Sequence, residues 1–231
     1  MHKENKIVTR LKNIEREVIN ACKNSNRNKT TVKLIAVSKT ISSDYICEAA
    51  KYGQVFFGEN KVQEAAKKWP QIKSLYPKTR LHMIGPLQSN KVKDAIRIFD
   101  VIETVDREKV AIELEKNSKK YQLFPELYVQ INLGEEKQKS GCFPINAKSF
   151  INECINIGLN VTGVMGIPPI NTEPSPYFAL LSKIAHESNL KNISMGMSSD
   201  FGKAIYLGST EVRIGTKIFG ERTIKKYDKN S

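Results

Sequence analysis

A lysine that ends a strand running through a protein interior has chemistry open to it that a solvated lysine does not, and Lys39 stands in such a place. In the run KLIAVSK, 33–39, strand alternation puts Lys39 on the face shared by Ile35 and Val37. If those residues point inward, desolvation disfavours the ammonium, and a partly neutral amine condenses with aldehydes to a Schiff base. A solvated lysine is the bland alternative, since lysines are numerous along the chain. A second signal lies near the other end. SMGMSSD at 194–200 leads into the helical stretch FGKAIYLG, so Ser198 and Ser199 stand where a helix is expected to start. Unpaired N–H groups, the helix dipole and a hydroxyl hold anions at such a place. RIGTKIFG at 213–220 adds Gly215, which lets backbone approach a ligand closely, and the Thr216 hydroxyl. Taken alone, these are ordinary glycine-containing loops with serine caps. An anion cradle and an aldehyde-seeking amine opening into one mouth would be something more.

Arg213 is the other charged group that alternation turns inward. A buried arginine needs an acceptor, either an acid such as Glu211 in a structural ion pair or a ligand nitrogen or phosphate. His82, in the middle of LHMIG, reads as a satisfied core histidine. Glu59, Asp106 and Glu211 form no paired-carboxylate motif and read as caps or surface acids. Four cysteines (Cys22, Cys47, Cys142, Cys154) fall in no CxxC pair, and there are three histidines, so neither a metal site nor a disulfide framework is expected.

These residues need elements to hold them. Ile7, Leu11, Ile14, Val18 and Cys22 recur at helical spacing, which predicts an amphipathic helix within 1–28. After KNSNRNKTT the pattern becomes short β-branched runs alternating with helical stretches. Strands are predicted from Lys33, Gln54, Arg80, Val101, Glu126, Leu159, Asn192 and Glu211, on average about 25 residues apart, room for a strand, a helix and two loops. Asp106 is the expected cap of the helix REKVAIELEK, and Ser175 before Pro176 that of another. No linker divides the series, so one domain over 1–231 is expected, with 224–231 a frayed tail. Eight parallel strands close into a (β/α)8 TIM barrel with its active site at the strands' C-terminal ends and, often, a phosphate site after strands seven and eight. An open doubly wound sheet would call for a glycine-rich first turn, which VSKT lacks.

Lys+Arg exceed Asp+Glu by 37 to 24, a formal net charge of +13. Such a surface attracts anions without choosing among them. A nucleic-acid-binding module is the rival this charge suggests. Against it, the lysines are scattered along helical stretches such as KKWPQIKSLYPK without regularly interleaved aromatics. No apolar run nears the roughly 18 residues of a membrane helix. The polar opening MHKENKIVTRLKNIE lacks a signal core, so a cytoplasmic protein is expected.

In its motifs the chain resembles the pyridoxal 5′-phosphate homeostasis proteins. The resembling pieces are LIAVSKT at 34–40, FGENKVQE at 57–64, HMIGPLQSNK at 82–91, KSG at 139–141, GVMGI at 163–167, SMGMSSDF at 194–201 and GSTEVRIGTKIFGER at 208–222. The resemblance implies a single barrel of the kind found in the N-terminal domain of alanine racemase, which is fold type III among pyridoxal-phosphate proteins. It implies that Lys39 forms the Schiff base with pyridoxal 5′-phosphate, that Ser198, Gly215 and Thr216 hold the phosphate, and that Arg213 faces the pyridine nitrogen. Asn60, in GEN, matches a residue lining the cofactor pocket, and Lys139, in KSG, a secondary lysine near the mouth. Three positions depart from the family pattern. Leu81 stands where an aromatic often precedes the histidine, Lys217 replaces a small residue, and Ile41 stands where some relatives carry another lysine, which weighs against any two-lysine transfer scheme.

A cofactor held on Lys39 could support racemisation or decarboxylation, or Lys39 could serve an aldolase-like enzyme. An arginine at the ring nitrogen argues against strong turnover, because it only donates and leaves that nitrogen unprotonated. Racemisation also wants a second acid/base on the opposite face, which alanine racemase takes from a further domain of its partner subunit. The expectation is therefore a carrier or buffer of the cofactor with no catalytic residues of its own. Its expected acceptors are apoenzymes that need the cofactor, and its expected state is a monomer or weak dimer.

Overall fold

A computed structural model describes residues 6–220. The predicted tail at 224–231 and residues 1–5 of the predicted N-terminal helical segment lie outside the described residues. Within them, α1 (Lys6–Asn24) is followed by eight strands: β1 (Lys33–Val37), β2 (Phe56–Glu59), β3 (Arg80–Met83), β4 (Val101–Val105), β5 (Glu126–Ile131), β6 (Val161–Gly166), β7 (Asn192–Ser194) and β8 (Glu211–Ile214). Between them lie α2 (Ser43–Tyr52), α3 (Val62–Leu75), α4 (Val92–Ile98), α5 (Glu108–Tyr121), α6 (Ala147–Asn156), α7 (Ser175–Glu187) and α8 (Phe201–Tyr206), and α9 (Thr216–Phe219) follows β8. The strands pair in chain order and close, β8 lying parallel to β1 with Lys33 opposite Glu211 and Ile35 opposite Arg213. The expected (β/α)8 barrel is the observed one.

The Ile7–Cys22 stripe of α1 is wholly buried. This helix packs on α2, α8 and α9, over the seam where β8 meets β1. Its place there follows from length, because α8 has six residues and α9 four and neither can cover the last strands alone. The outward face of the barrel, with Ala36, Phe57, Leu81 and Ile102, meets apolar helix faces with Ile46, Trp69 and Leu114 in one continuous core. Burying each large side chain contributes about 1.5–3 kcal/mol.

Several predicted boundaries move for local reasons. β2 begins at Phe56 rather than Gln54, because the Gln54 carboxamide is engaged with the carbonyls of Leu34 (2.7 Å) and Phe56 (2.6 Å). β6 begins at Val161 rather than Leu159, whose N–H closes the turn leaving α6 on Cys154. Neither predicted cap side chain acts as one. Asp106 is ion-paired with Arg107 at 2.6 Å, and Arg107 is the residue that precedes α5. Ser175 lies inside α7 and its hydroxyl donates to Glu173 Oε1 at 2.7 Å, while Pro176 keeps its first-turn place.

Candidate functional site

At the C-terminal ends of β1, β7 and β8 a cavity of about 240 Å³ opens, lined by Lys39, Ser198, Arg213, Gly215 and Thr216 among apolar side chains that include Val37, Ile41, Ile84, Ile167 and Met197. Lys39 reaches it by alternation from Ile35 and Val37 and is half-buried. Across the opening, Ser198 lies in the turn that precedes α8, two residues before the residue that caps it. Asp200 holds that turn by accepting from Met197 N–H at 2.6 Å. The expectation of a helix start at Ser198 is thus corrected, since its hydroxyl is presented by a turn. Gly215 immediately precedes α9, and Thr216 is the first residue of that helix. A Cβ at position 215 would lie 3.3 Å from Val37 Cβ and from its carbonyl oxygen, so glycine lets β8 close on β1 beside the cavity.

Below the mouth the barrel interior is charged. Arg213, 5% exposed, donates from Nη1 to Ser194 Oγ and from Nη2 to the Gly166 carbonyl at 3.1 Å. Ser194 Oγ lies 2.6 Å from Glu103 Oε2, and Glu103 Oε1 lies 2.7 Å from His82 Nδ1. Burial by itself would raise Glu103. The hydrogen bond and charge of His82, then the charge of Arg213 and the Ser194 hydroxyl, outweigh it and hold the carboxyl below its usual range. An ionised Glu103 only accepts, so Ser194 passes a donor to it while accepting from Arg213. Burial draws Arg213 down, opposed by Glu103 and Glu211. Glu211 takes Lys33 Nζ at 2.9 Å and the Tyr128 hydroxyl at 2.8 Å on one oxygen. Burial, and then the charges of Glu211 and Glu103, raise Tyr128 far above its ordinary value, so its phenol stays a donor. His82, Glu103 and Glu211 bring ligand atoms within 4.8 Å of one another, but Lys33 and Arg213 already oppose the two carboxylates, which leaves a divalent cation little charge to balance.

The chain has relatives among known proteins. No protein-family model matches the chain. The pyridoxal phosphate homeostasis protein of Aquifex aeolicus is 36% identical over 223 residues, 92% of this chain and 97% of the relative. That of Haemophilus influenzae is 37% identical over 220 residues, 90% and 93% of the two chains. The chain belongs to the pyridoxal phosphate homeostasis proteins. Among solved structures, PipY of Synechococcus elongatus without PLP superposes with a TM-score of 0.83 at 32% identity, covering 93% of this chain and all of PipY. PipY with PLP bound gives 0.78 at 31%, with the same coverage. Alanine racemase of Clostridium difficile, at 15% identity and TM-score 0.66, covers 91% of this chain and 57% of its own length and shares the fold.

Five of the six site residues expected of a family member therefore meet at one cavity. Asn60 is not on its wall. It follows β2, half-buried, with its backbone against Gly85, where a Cβ would fall 2.4 Å from the Asn60 carbonyl oxygen. Its Oδ1 is buried without a hydrogen-bond partner. Lys139 lies in the loop after β5, ion-paired with Glu136, and is not on the wall either. Ile41 does line the cavity. Glu59 and Glu211 are fully buried, which corrects their expected role as caps or surface acids. Sequence reasoning passed over Glu103, which lies 3.6 Å from Arg213, and named Glu211 as its example of an acid partner beside a ligand nitrogen or phosphate. The available signal was the spacing in VIETV, which sets Glu103 on the face of Val101.

Proposed function

We propose that this chain holds pyridoxal 5′-phosphate reversibly on Lys39 and acts as its carrier or buffer, without robust turnover of its own. The carrying observation is the cavity where the Lys39 amine, the Ser198 and Thr216 hydroxyls, the backbone at Gly215 and the Arg213 guanidinium converge among apolar side chains. The donor set fits the group. An amine answers an aldehyde, hydroxyls and backbone N–H groups answer a phosphate, a guanidinium answers an unprotonated ring nitrogen, and isoleucines answer the faces of a flat ring. When bound, that cofactor supplies a reactive aldehyde and an electron-accepting ring.

Lys39 would capture the aldehyde, from a half-buried place among partly apolar side chains. Ser198 and Thr216 grip the phosphate against the Gly215 backbone. Arg213, fixed by Ser194 and the Gly166 carbonyl, would donate a hydrogen bond from an N–H whose proton it does not give up, which favours an unprotonated ring nitrogen as its partner. Asn60 backs the wall through its contact with Gly85, the residue after Ile84. Among the described residues, the cavity wall carries no histidine, tyrosine, cysteine or carboxylate to serve as a second acid/base, which supports a carrier over a racemase. Apoenzymes that require the cofactor are the acceptors this reading calls for, in the cytoplasm, with the carrier a monomer or weak dimer. No described helix is long and apolar enough to cross a membrane.

The test is to load the purified chain with pyridoxal 5′-phosphate, reduce it with borohydride and map the peptides. A cofactor-sized mass on Lys39 is expected. Labelling spread over surface lysines with none at Lys39 would overturn the reading. Salt-sensitive RNA binding that persists with Lys39 blocked would favour the nucleic-acid rival instead.

A further inference from the structure

Six non-glycine residues among those described have left-handed φ, and Thr40, at +65°, is the β-branched one. A β-branched side chain there is strained and persists only where its surroundings enforce it. Thr40 directly follows Lys39. The enforcement comes from α3. Glu64 Oε1 accepts from Thr40 N–H at 2.6 Å. Lys68 Nζ donates to the carbonyls of Ser38 (3.1 Å) and Ile41 (3.3 Å), which bracket the lysine, and is ion-paired at 2.8 Å with both Glu59 and Glu64. Glu59 is fully buried and receives Ser38 Oγ at 2.7 Å and Trp69 Nε1 at 3.2 Å on the oxygen that meets Lys68. Neither Lys68 nor the two glutamates line the cavity. Buried ion pairs are costly and weak as stabilisers, so a cluster of three charges spent on one four-residue loop is better explained by the conformation it specifies.

We propose that Lys68 is a positioning residue. With Glu59 and Glu64 it clamps the loop 38–41 in its strained form, and so sets the direction in which the Lys39 amine enters the cavity and the rate at which it exchanges aldehydes. The inference rests on the cofactor-binding reading above. Capture joins the Lys39 nitrogen to the aldehyde carbon, and the aldehyde oxygen leaves as water. A misdirected amine pays for that step in rate, because attack needs the reacting atoms aligned.

The experiment compares wild type, Lys68→Met, Lys68→Arg and Lys68→Met/Thr40→Gly, following capture of pyridoxal 5′-phosphate by visible absorbance, with borohydride mapping and thermal unfolding alongside. Capture by Lys68→Met should slow by about tenfold or more. Lys68→Arg should recover part of it by restoring a cation. Thr40→Gly should also recover part of it, because glycine adopts +65° without strain and the loop then needs less clamping. Rescue by a change that adds no contact and only relieves the backbone at position 40 is something a merely structural role for Lys68 would not produce. Should Lys68→Met fail to fold, Glu64→Gln, which keeps an acceptor but loses the charge that faces both the Thr40 N–H and Lys68, should still slow capture severalfold. A folded Lys68→Met chain that labels at Lys39 and captures at the wild-type rate overturns the clamp and leaves the cofactor reading standing, as does a loss that Thr40→Gly does not relieve. A wild-type chain with no adduct on Lys39 overturns both.

Discussion

On the β1 side of the cavity, the loop carrying Lys39 is tied down by side-chain charge, with Glu64 and Lys68 gripping its backbone around a strained Thr40 and Glu59 holding the Ser38 hydroxyl and Lys68. On the β7–β8 side, the positions proposed to face the phosphate are presented by short turns, with the turn of Ser198 held by the Asp200 carboxylate on Met197 N–H and Gly215 set so close to Val37 that a side chain would crowd it. The first wall spends ion pairs on a conformation the chain would not choose. The second uses residues whose local preferences already suit their places. A covalent anchor needs direction, which a misplaced charge destroys. A phosphate cradle needs donors, and losing one leaves others. Changes in the first wall should therefore act on capture, whereas changes in the second should act on affinity.

The largest expected effect follows at once. Lys39→Ala should abolish both the visible absorption of the bound cofactor and the borohydride adduct, yet leave weak non-covalent retention by the opposite wall. Equilibrium dialysis against radiolabelled pyridoxal 5′-phosphate checks the second part, and complete loss of retention would show that the two walls do not act separately.

Arg213 belongs to the second wall but is held from beneath by charge, so it tests where the division ends. Arg213→Met leaves Glu103 buried with one cation fewer, and breaking a buried pair from one side costs about 3–5 kcal/mol. Denaturant unfolding should show that loss, and Glu103→Gln added to it should cost less than the two separate changes summed, since the residues share one network. Additive losses would mean that Ser194 and Gly166 alone hold the arginine.

A smaller effect is expected at Ser198. A charge-assisted hydrogen bond contributes about 1.5–3 kcal/mol, so Ser198→Ala should weaken retention by about 10- to 100-fold while capture at Lys39 proceeds at its usual rate. A slowed capture with unchanged retention would reverse the assignment of the walls.

How much of this could be read from residues alone follows the same division. The βα rhythm, the helical stripe from Ile7 to Cys22 and the inward direction of Lys39 and Arg213 are local periodicities, and local periodicity survives folding. So is the placing of Ser198, Gly215 and Thr216 after the last two strands. The charged interior was not legible. Glu103 meets Arg213 and Ser194 only because β4 faces β7 and β8 across a closed barrel, and no spacing along the chain encodes that meeting. The clamp was hidden for a different reason. Nothing in VSKT announces that its threonine takes a left-handed φ, which Glu64 and Lys68 impose from a helix more than twenty residues away. The caps assigned to Asp106 and Ser175 failed because Arg107 and Glu173 engaged those side chains first.

The finest test of the comparison is pH. Burial by itself would raise Glu64, but its hydrogen bonds from Lys68 and from Thr40 N–H, with the charges of Lys68 and Lys61, outweigh that and hold its pKa below the usual value. A carboxylate with a depressed folded pKa contributes stability that is fully present above its unfolded pKa, about 4.3 for glutamate, and is lost as pH falls through the folded value. The Lys39 loop should therefore loosen only in acid, below about pH 4.3. Among the described residues, no carboxylate lines the opposite side of the cavity. Hydrogen exchange of the Thr40 and Ile41 amides should accelerate there relative to Gly215 and Thr216, once corrected for intrinsic pH dependence. Glu64→Gln should cost about 1 kcal/mol at neutral pH and flatten the difference. Parallel loosening of both walls would assign the acid response to Glu103 and the shared barrel interior.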